Sequence, residues 1–130
     1  MKILIKTWLF SLFLLLLGCE EDINKNVQGL WTIEKMTCMD QSCLESYLVN
    51  ILDIENGRIL LPVKKRYDND TAYWTIHKEN TGYVMKIKSD DPVFSRVFTM
   101  NYERKANSNP ILILKSDSVV ISCRKFPEVR

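Results

Sequence analysis

The stretch TAYWTIHKENTGYVMKIK, residues 71–88, decides the fold class. In its first half Trp74 and Ile76 fall opposite Tyr73, Thr75 and His77. After the turn residues Asn80-Thr81-Gly82, the side chains of Tyr83, Met85 and Ile87 oppose those of Lys86 and Lys88. Alternation with period two puts one set of side chains on each face of a β-strand, and a short turn between two such runs makes an antiparallel hairpin. The next run repeats the pattern. Between Phe94 and Arg104, one face carries Phe94, Phe98, Met100 and Tyr102 together with Arg96, and the other carries Ser95, Thr99, Asn101 and Glu103.

Working outward from this hairpin, turn residues punctuate the chain at regular intervals from Gly29 on. Asn56-Gly57, Asp68-Asn69-Asp70, Ser89-Asp90-Asp91-Pro92, Asn107-Ser108-Asn109-Pro110 and Ser116-Asp117-Ser118 all separate β-branched and aromatic runs. Asn56-Gly57 is expected to form a type I′ turn, which needs φ > 0 at both residues. The runs predict eight strands near Leu30–Met36, Tyr47–Ile54, Arg58–Val63, Thr71–Lys78, Tyr83–Lys88, Phe94–Arg104, Ile111–Lys115 and Val119–Phe126. Residues 40–46 lack alternation and suit a turn of helix capped by Asp40. Short connections favour antiparallel neighbours, so the expected fold is all-β, an eight-stranded up-and-down meander. Closure into a barrel would remove the exposed edges of an open sheet.

The N-terminus reads differently. Lys2 and Lys6 form a basic leader, Thr7 to Leu17 is an apolar run of 11 residues, and Gly18 precedes Cys19. The run is shorter than the ~18–20 residues that span a bilayer, so a signal segment is expected over residues 1–18. Leu16-Leu17-Gly18-Cys19 resembles the lipobox of bacterial lipoproteins, which implies cleavage between Gly18 and Cys19 and acylation of Cys19, for instance by palmitate. Several acyl chains, at ~0.8 kcal/mol per buried methylene, anchor a domain almost permanently. Glu20-Glu21-Asp22 resembles the acidic export signal of Bacteroidota lipoproteins; the alternative is a simply solvated linker. The expected address is the bacterial cell envelope, on the outer membrane, at either the periplasmic face or the cell surface. Residues 19–28 are polar and aperiodic and are expected to be a tether, leaving residues 29–130 as the domain.

Removing 18 of 130 residues leaves 112, enough for one domain. Loss of Lys2 and Lys6 lowers the basic residues from 18 to 16, equal to the 16 acids, so the mature chain is neutral. No stripe of Lys or Arg interleaved with aromatics suggests nucleic acid, and Lys64-Lys65-Arg66 reads as a solvated hairpin end.

Gly29-Leu30-Trp31 opening the first strand of an eight-strand meander, with Arg124 in the last, resembles the lipocalin pattern. The resemblance implies a small barrel in which Trp31 and Arg124 plug the base, a cation lying over the ring face. The chain is short, shows no second lipocalin motif and has no clear helix after the last strand. In these respects it is closer to the compact lipocalin-like domains of bacterial lipoproteins.

With Cys19 acylated, Cys38, Cys43 and Cys123 remain, an odd number for an oxidising compartment. If Trp31 lies near Arg124, Cys123 falls beside Thr32 and far from Cys38, so a Cys38–Cys43 disulfide is expected and Cys123 stays a buried thiol. Zinc is not expected, because His77 and the three cysteines lack ligand spacing. No nucleophile elbow, phosphate loop or paired catalytic carboxylates appear, and no cofactor is implied. Two readings therefore stand. In one, the barrel takes a small apolar or amphipathic ligand, with Arg96, Trp74, Phe98 and Tyr102 as the candidate wall and Arg96 free to grip an anionic group. In the other, the barrel is filled and the protein is a non-enzymatic interaction, inhibitor or immunity lipoprotein that acts on a protein partner through its loops.

Overall fold

The computed structural model describes residues 22–64 and 72–127. The leader, the Leu16–Cys19 motif, Glu20-Glu21 and the Asp68-Asn69-Asp70 turn lie outside the described residues. In chain order the elements are α1 (Ile23–Val27), β1 (Gly29–Cys38), β2 (Gln41–Ser42), a 3-10 turn (Leu44–Ser46), β3 (Ile51–Ile54), β4 (Arg58–Leu60), β5 (Ala72–Glu79), β6 (Gly82–Lys88), β7 (Val97–Glu103), β8 (Ile111–Lys115) and β9 (Val119–Lys125). Every strand pair is antiparallel; β3 to β9 follow one another around the sheet, and β1 closes it by pairing with both β3 and β9. The fold is thus an eight-stranded β-barrel, with β2 a two-residue addition to the far end of β1.

The hairpin that decides the fold class forms as its alternation requires. Trp74 pairs with Ile87 and Ile76 with Met85, while Thr75 faces Lys86 on the outer surface. The same alternation runs through β8 and β9, where Leu112, Leu114, Val119, Ile121 and Cys123 are all buried. Together with Trp31, Phe94 and Phe98, these side chains form one continuous core. In β1 the period breaks once, because Ile33 pairs with Cys123 and Lys35 with Ser122, leaving Glu34 as an extra residue. This bulge turns both Glu34 and Lys35 outward and returns Met36 to the core.

Several boundaries differ from expectation, each for a local reason. The strand expected from Phe94 begins only at Val97. Asp91 accepts hydrogen bonds from the N–H of Phe94 and Ser95 on its carbonyl and from the N–H of Val93 on its carboxylate, which coils residues 91–96 into a turn. Tyr47 to Asn50 lie in a connection, and β3 starts at Ile51. Asp40 caps no helix. It sits with Met39 in the two-residue loop between β1 and β2, at φ 64° and 51° respectively, and Cys43 precedes the 3-10 turn. Among the described residues, the turn with positive φ at both central residues is therefore Met39-Asp40, whereas at Asn56-Gly57 only Gly57, φ 75°, is left-handed.

The folded unit also begins earlier than Gly29. Val27 is fully buried and its carbonyl accepts a 2.8 Å hydrogen bond from Trp31 Nε1, so α1 belongs to the domain rather than to a tether. This helix lies at the lower end of the barrel, with the Asn56-Gly57 and Asn80-Thr81 turns. The upper end carries the connections 39–50, 89–96 and 116–118.

Candidate functional site

A barrel of this size would hold a ligand in its interior. Phe98, Met85, Leu112, Leu114 and Ile121 have no solvent-accessible surface at all, so a sphere the size of water touches none of them. Trp74 is 5% exposed, and its indole N–H is shared between the carbonyls of Glu55 at 2.7 Å and Arg58 at 3.1 Å. Tyr102 is half-buried and meets Trp31 edge to face, ring centroids 6.3 Å apart. The three aromatics of the expected ligand wall are thus engaged by the protein itself.

Arg96 does not join them. The turn at Asp91 takes it off the β7 face, and its guanidinium reaches outward to Ser118 Oγ at 2.7 Å, the Pro92 carbonyl at 3.1 Å and Asp117 at 3.4 Å. It ties the β6–β7 connection to the β8–β9 turn across the upper rim.

The same rim holds a second tie that sequence reading missed. Tyr47 donates a 2.7 Å hydrogen bond to Asp91 Oδ2, packs edge to face on Phe94 at 5.6 Å, and lies beneath the Lys64 ammonium at 5.1 Å. Burial and the Asp91 carboxylate push the Tyr47 phenol well above its ordinary pKa, so it remains a donor. Beside it, the arc of residues 43–50 stands away from β1 and leaves an open groove of about 440 Å³. Met36, Leu44, Tyr47 and Leu48 supply its apolar lining, and Glu34, Lys35, Glu45 and Asn50 its polar one. Ser42 donates to Glu45 at 2.8 Å; a backbone hydrogen bond, then Ser42, holds the Glu45 carboxyl below its usual range. Leu48 is 59% and Met39 80% exposed, with Val49 and Val63 also exposed and the Leu48 N–H bonded to the Val63 carbonyl. The only sequence signal for this surface was the failure of alternation over residues 40–46; Tyr47 to Asn50 were expected to be strand.

At the base, the cation over Trp31 is Lys125, its Nζ 5.6 Å from the ring centroid, and not Arg124. Arg124 pairs with Thr32, points outward and bridges Glu34 at 3.1 Å. Cys38 and Cys43 form the expected disulfide, with Cα atoms 5.7 Å apart, which ties up the Cys43 sulfur. Cys123 is a free, fully buried thiol opposite Ile33, pushed up to about 12 by burial and by the charge of Glu34. Among the described residues, no group of three or more His, Cys, Asp or Glu side chains could hold a metal ion, and no helix is long and apolar enough to cross a membrane. His77 is exposed, 3.4 Å from the Thr75 hydroxyl. Comparison with known protein families, curated proteins and solved structures finds no match to this chain.

Proposed function

We propose that this chain is a lipid-anchored bacterial envelope protein, Bacteroidota-type and lipocalin-like, whose filled barrel is a scaffold for recognising a protein partner through its upper rim. The observation that carries the reading is a contrast in exposure. Interior aromatics such as Phe98 have none, whereas Leu48, which lines the groove, has 59%, and Met39 and Val49 in the same upper connection have 80% and 46%. Apolar side chains gathered at the rim of a polar-edged groove suit a docking surface. The Cys38–Cys43 disulfide and the Tyr47–Asp91 and Arg96–Ser118 hydrogen bonds stiffen that rim, which lowers the ordering cost of binding. The anchor rests on Leu16-Leu17-Gly18-Cys19. The barrel does no chemistry in this reading and needs no cofactor.

A photo-crosslinking amino acid placed at Leu48 in the native envelope should yield one adduct of defined mass, lost when Val49 is changed to Asp. The same group at Lys86, on the opposite wall, should give none. A saturable one-to-one complex between purified protein and a fluorescent fatty acid would restore the ligand-carrier reading instead. Mass spectrometry of the mature N-terminus tests acylation of Cys19, and labelling of intact cells with an impermeant reagent separates cell-surface from periplasmic placement.

A further inference from the structure

The turn between β3 and β4 carries chemistry of its own. Of the nine asparagines in the chain, Asn56 alone is followed by a glycine. The main-chain nitrogen after an asparagine can attack the side-chain amide carbon and close a five-membered ring, and only glycine presents that nitrogen with no Cβ beside it. At this turn both residues are exposed, and a Cβ built at Gly57 would meet nothing within 4 Å. Among the described residues, nothing accepts the Gly57 N–H and nothing holds the Asn56 side chain. Asn107-Ser108, in another exposed turn, is the contrast. There the Ser108 N–H already donates to the Lys105 carbonyl at 3.3 Å, and Ser108 brings a side chain to the attacking position.

We infer that Asn56 is a site of spontaneous deamidation, and that its isoaspartate product loosens the hold of the barrel on Trp74. A base in solution takes the Gly57 N–H proton, the nitrogen bonds to Asn56 Cγ, and the Cγ–Nδ2 bond breaks to release ammonia, leaving a cyclic imide. Water then opens the ring. Opening at Cγ gives aspartate at position 56 with the main chain as before; opening at the backbone carbonyl gives isoaspartate, whose main chain runs through the former side chain and is one methylene longer. One water is consumed and one ammonia released, with no oxidant or reductant. The longer chain matters because this turn holds Trp74. The Trp74 N–H donates to the Gly57 carbonyl at 3.3 Å, and its indole N–H is shared between the carbonyls of Glu55 at 2.7 Å and Arg58 at 3.1 Å. The Glu55 N–H closes the turn on the Arg58 carbonyl at 2.8 Å. These acceptors lie on both sides of residue 56, so a methylene added there moves them out of register with a tryptophan that is only 5% exposed. Little else ties this corner, since among the described residues β4 pairs with β5 only through Arg58 with Tyr73 and Ile59 with Ala72. A buried donor that loses its acceptor is costly.

The test holds the purified, folded protein at neutral and at mildly alkaline pH and reads its peptides by mass spectrometry, with enzymatic methylation to mark isoaspartate. Asn56 should convert roughly tenfold faster than Asn107, whose neighbour carries a Cβ, and faster at the higher pH because the attacking nitrogen must lose its proton. A synthetic peptide of residues 54–60 gives the rate of the same sequence without the fold. If that peptide converts while Asn56 in the folded protein stays intact, or if Asn107 converts first, the inference is overturned. The isoaspartate fraction, separated by its extra negative charge, should exchange the Trp74 amide hydrogen about tenfold faster than unmodified protein, as a locally opened segment does. Asn56→Asp adds the charge without lengthening the chain and should exchange at close to the original rate. Equal exchange in the isoaspartate fraction and in unmodified protein would overturn the link to Trp74, and acceleration as large in Asn56→Asp would assign it to charge and not to the longer chain.

Discussion

Lys125 and Trp31 close the base of the barrel together: the ammonium stands 5.6 Å from the indole centroid while donating to the Asn26 carbonyl, and the indole N–H holds the Val27 carbonyl. One cation thus joins the last strand, the first strand and α1. Lys125→Ala removes a partly desolvated cation–π contact and a charged hydrogen bond, and should cost about 1–2 kcal/mol. Arg124→Ala breaks only the exposed bridge to Glu34, and should cost less than about 1 kcal/mol. Chemical denaturation of the two variants checks the order; a larger loss for Arg124→Ala would reverse the assignment of the plug.

Gly29 feels the same lysine. Its φ of 130° disfavours any side chain, and an added Cβ would sit 2.9 Å from Lys125 Cε. The lysine tip can move, so the backbone sets most of the penalty. Gly29→Ala should cost about 1–3 kcal/mol, measured by denaturation, and pairing it with Lys125→Ala should relieve only a minor part.

Alkaline pH should loosen the protein from about pH 9 upward. Burial raises both the Cys123 thiol, from 9.0 to about 12, and the Tyr47 phenol above its ordinary 10.0. The folded chain then keeps protons that the unfolded chain has released. Stability from these groups is complete below the unfolded values and falls as pH climbs toward the folded ones, by at most about 1.4 kcal/mol per pH unit for each group. Denaturation midpoints at pH 8, 9, 10 and 11 should decline progressively. Cys123→Ala should start lower at neutral pH and fall less steeply between pH 9 and 10.

The fold was legible in the sequence where period-two alternation was unbroken, as in Trp74-Thr75-Ile76 against Met85-Lys86-Ile87. It was less legible where a side chain rewrote the backbone. Asp91 gathers three N–H groups and coils Phe94 to Arg96, which moved Arg96 from the core face to the rim. At the base, Trp31 and a final-strand cation were readable as a pair, but registry was not. Trp31 faces Lys125, and a shift of one residue exchanges the two faces of a strand. The Cys38–Cys43 disulfide was readable from the expected pairing of the first and last strands, which keeps Cys123 far from Cys38, and the loop it clamps was not, since left-handed Met39 and Asp40 have no glycine to announce them. The groove beside Tyr47 depends on contacts between residues 44 positions apart, which no local pattern records.

Reduction of the disulfide should soften the upper rim without opening the barrel. Cys38 to Cys43 closes a loop of about six residues, for which chain entropy gives about 2 kcal/mol. The β1–β9 ladder runs from Trp31 to Cys38 independently of it. Cys38→Ser with Cys43→Ser should lower stability by about that amount and speed amide exchange at Gln41 and Ser42, while exchange in β8 and β9 changes little. Global loss of protection would show that the hairpin nucleates the closure.

The packed interior makes the sharpest demand on Phe98. It has no exposure, it faces Met85 across β6 and β7, and its neighbour Val97 points to solvent at 55%. If the core is filled, Phe98→Ala leaves a cavity and costs about 3–5 kcal/mol. Val97→Ala, one residue away on the opposite face, should stay within about 0.5 kcal/mol. A ligand-holding barrel behaves differently, because truncating a wall residue that already borders empty space removes fewer contacts and creates little new void. A cost below about 1 kcal/mol for Phe98→Ala, with saturable uptake of an apolar fluorophore by the unmodified protein, would return function from the rim to the interior.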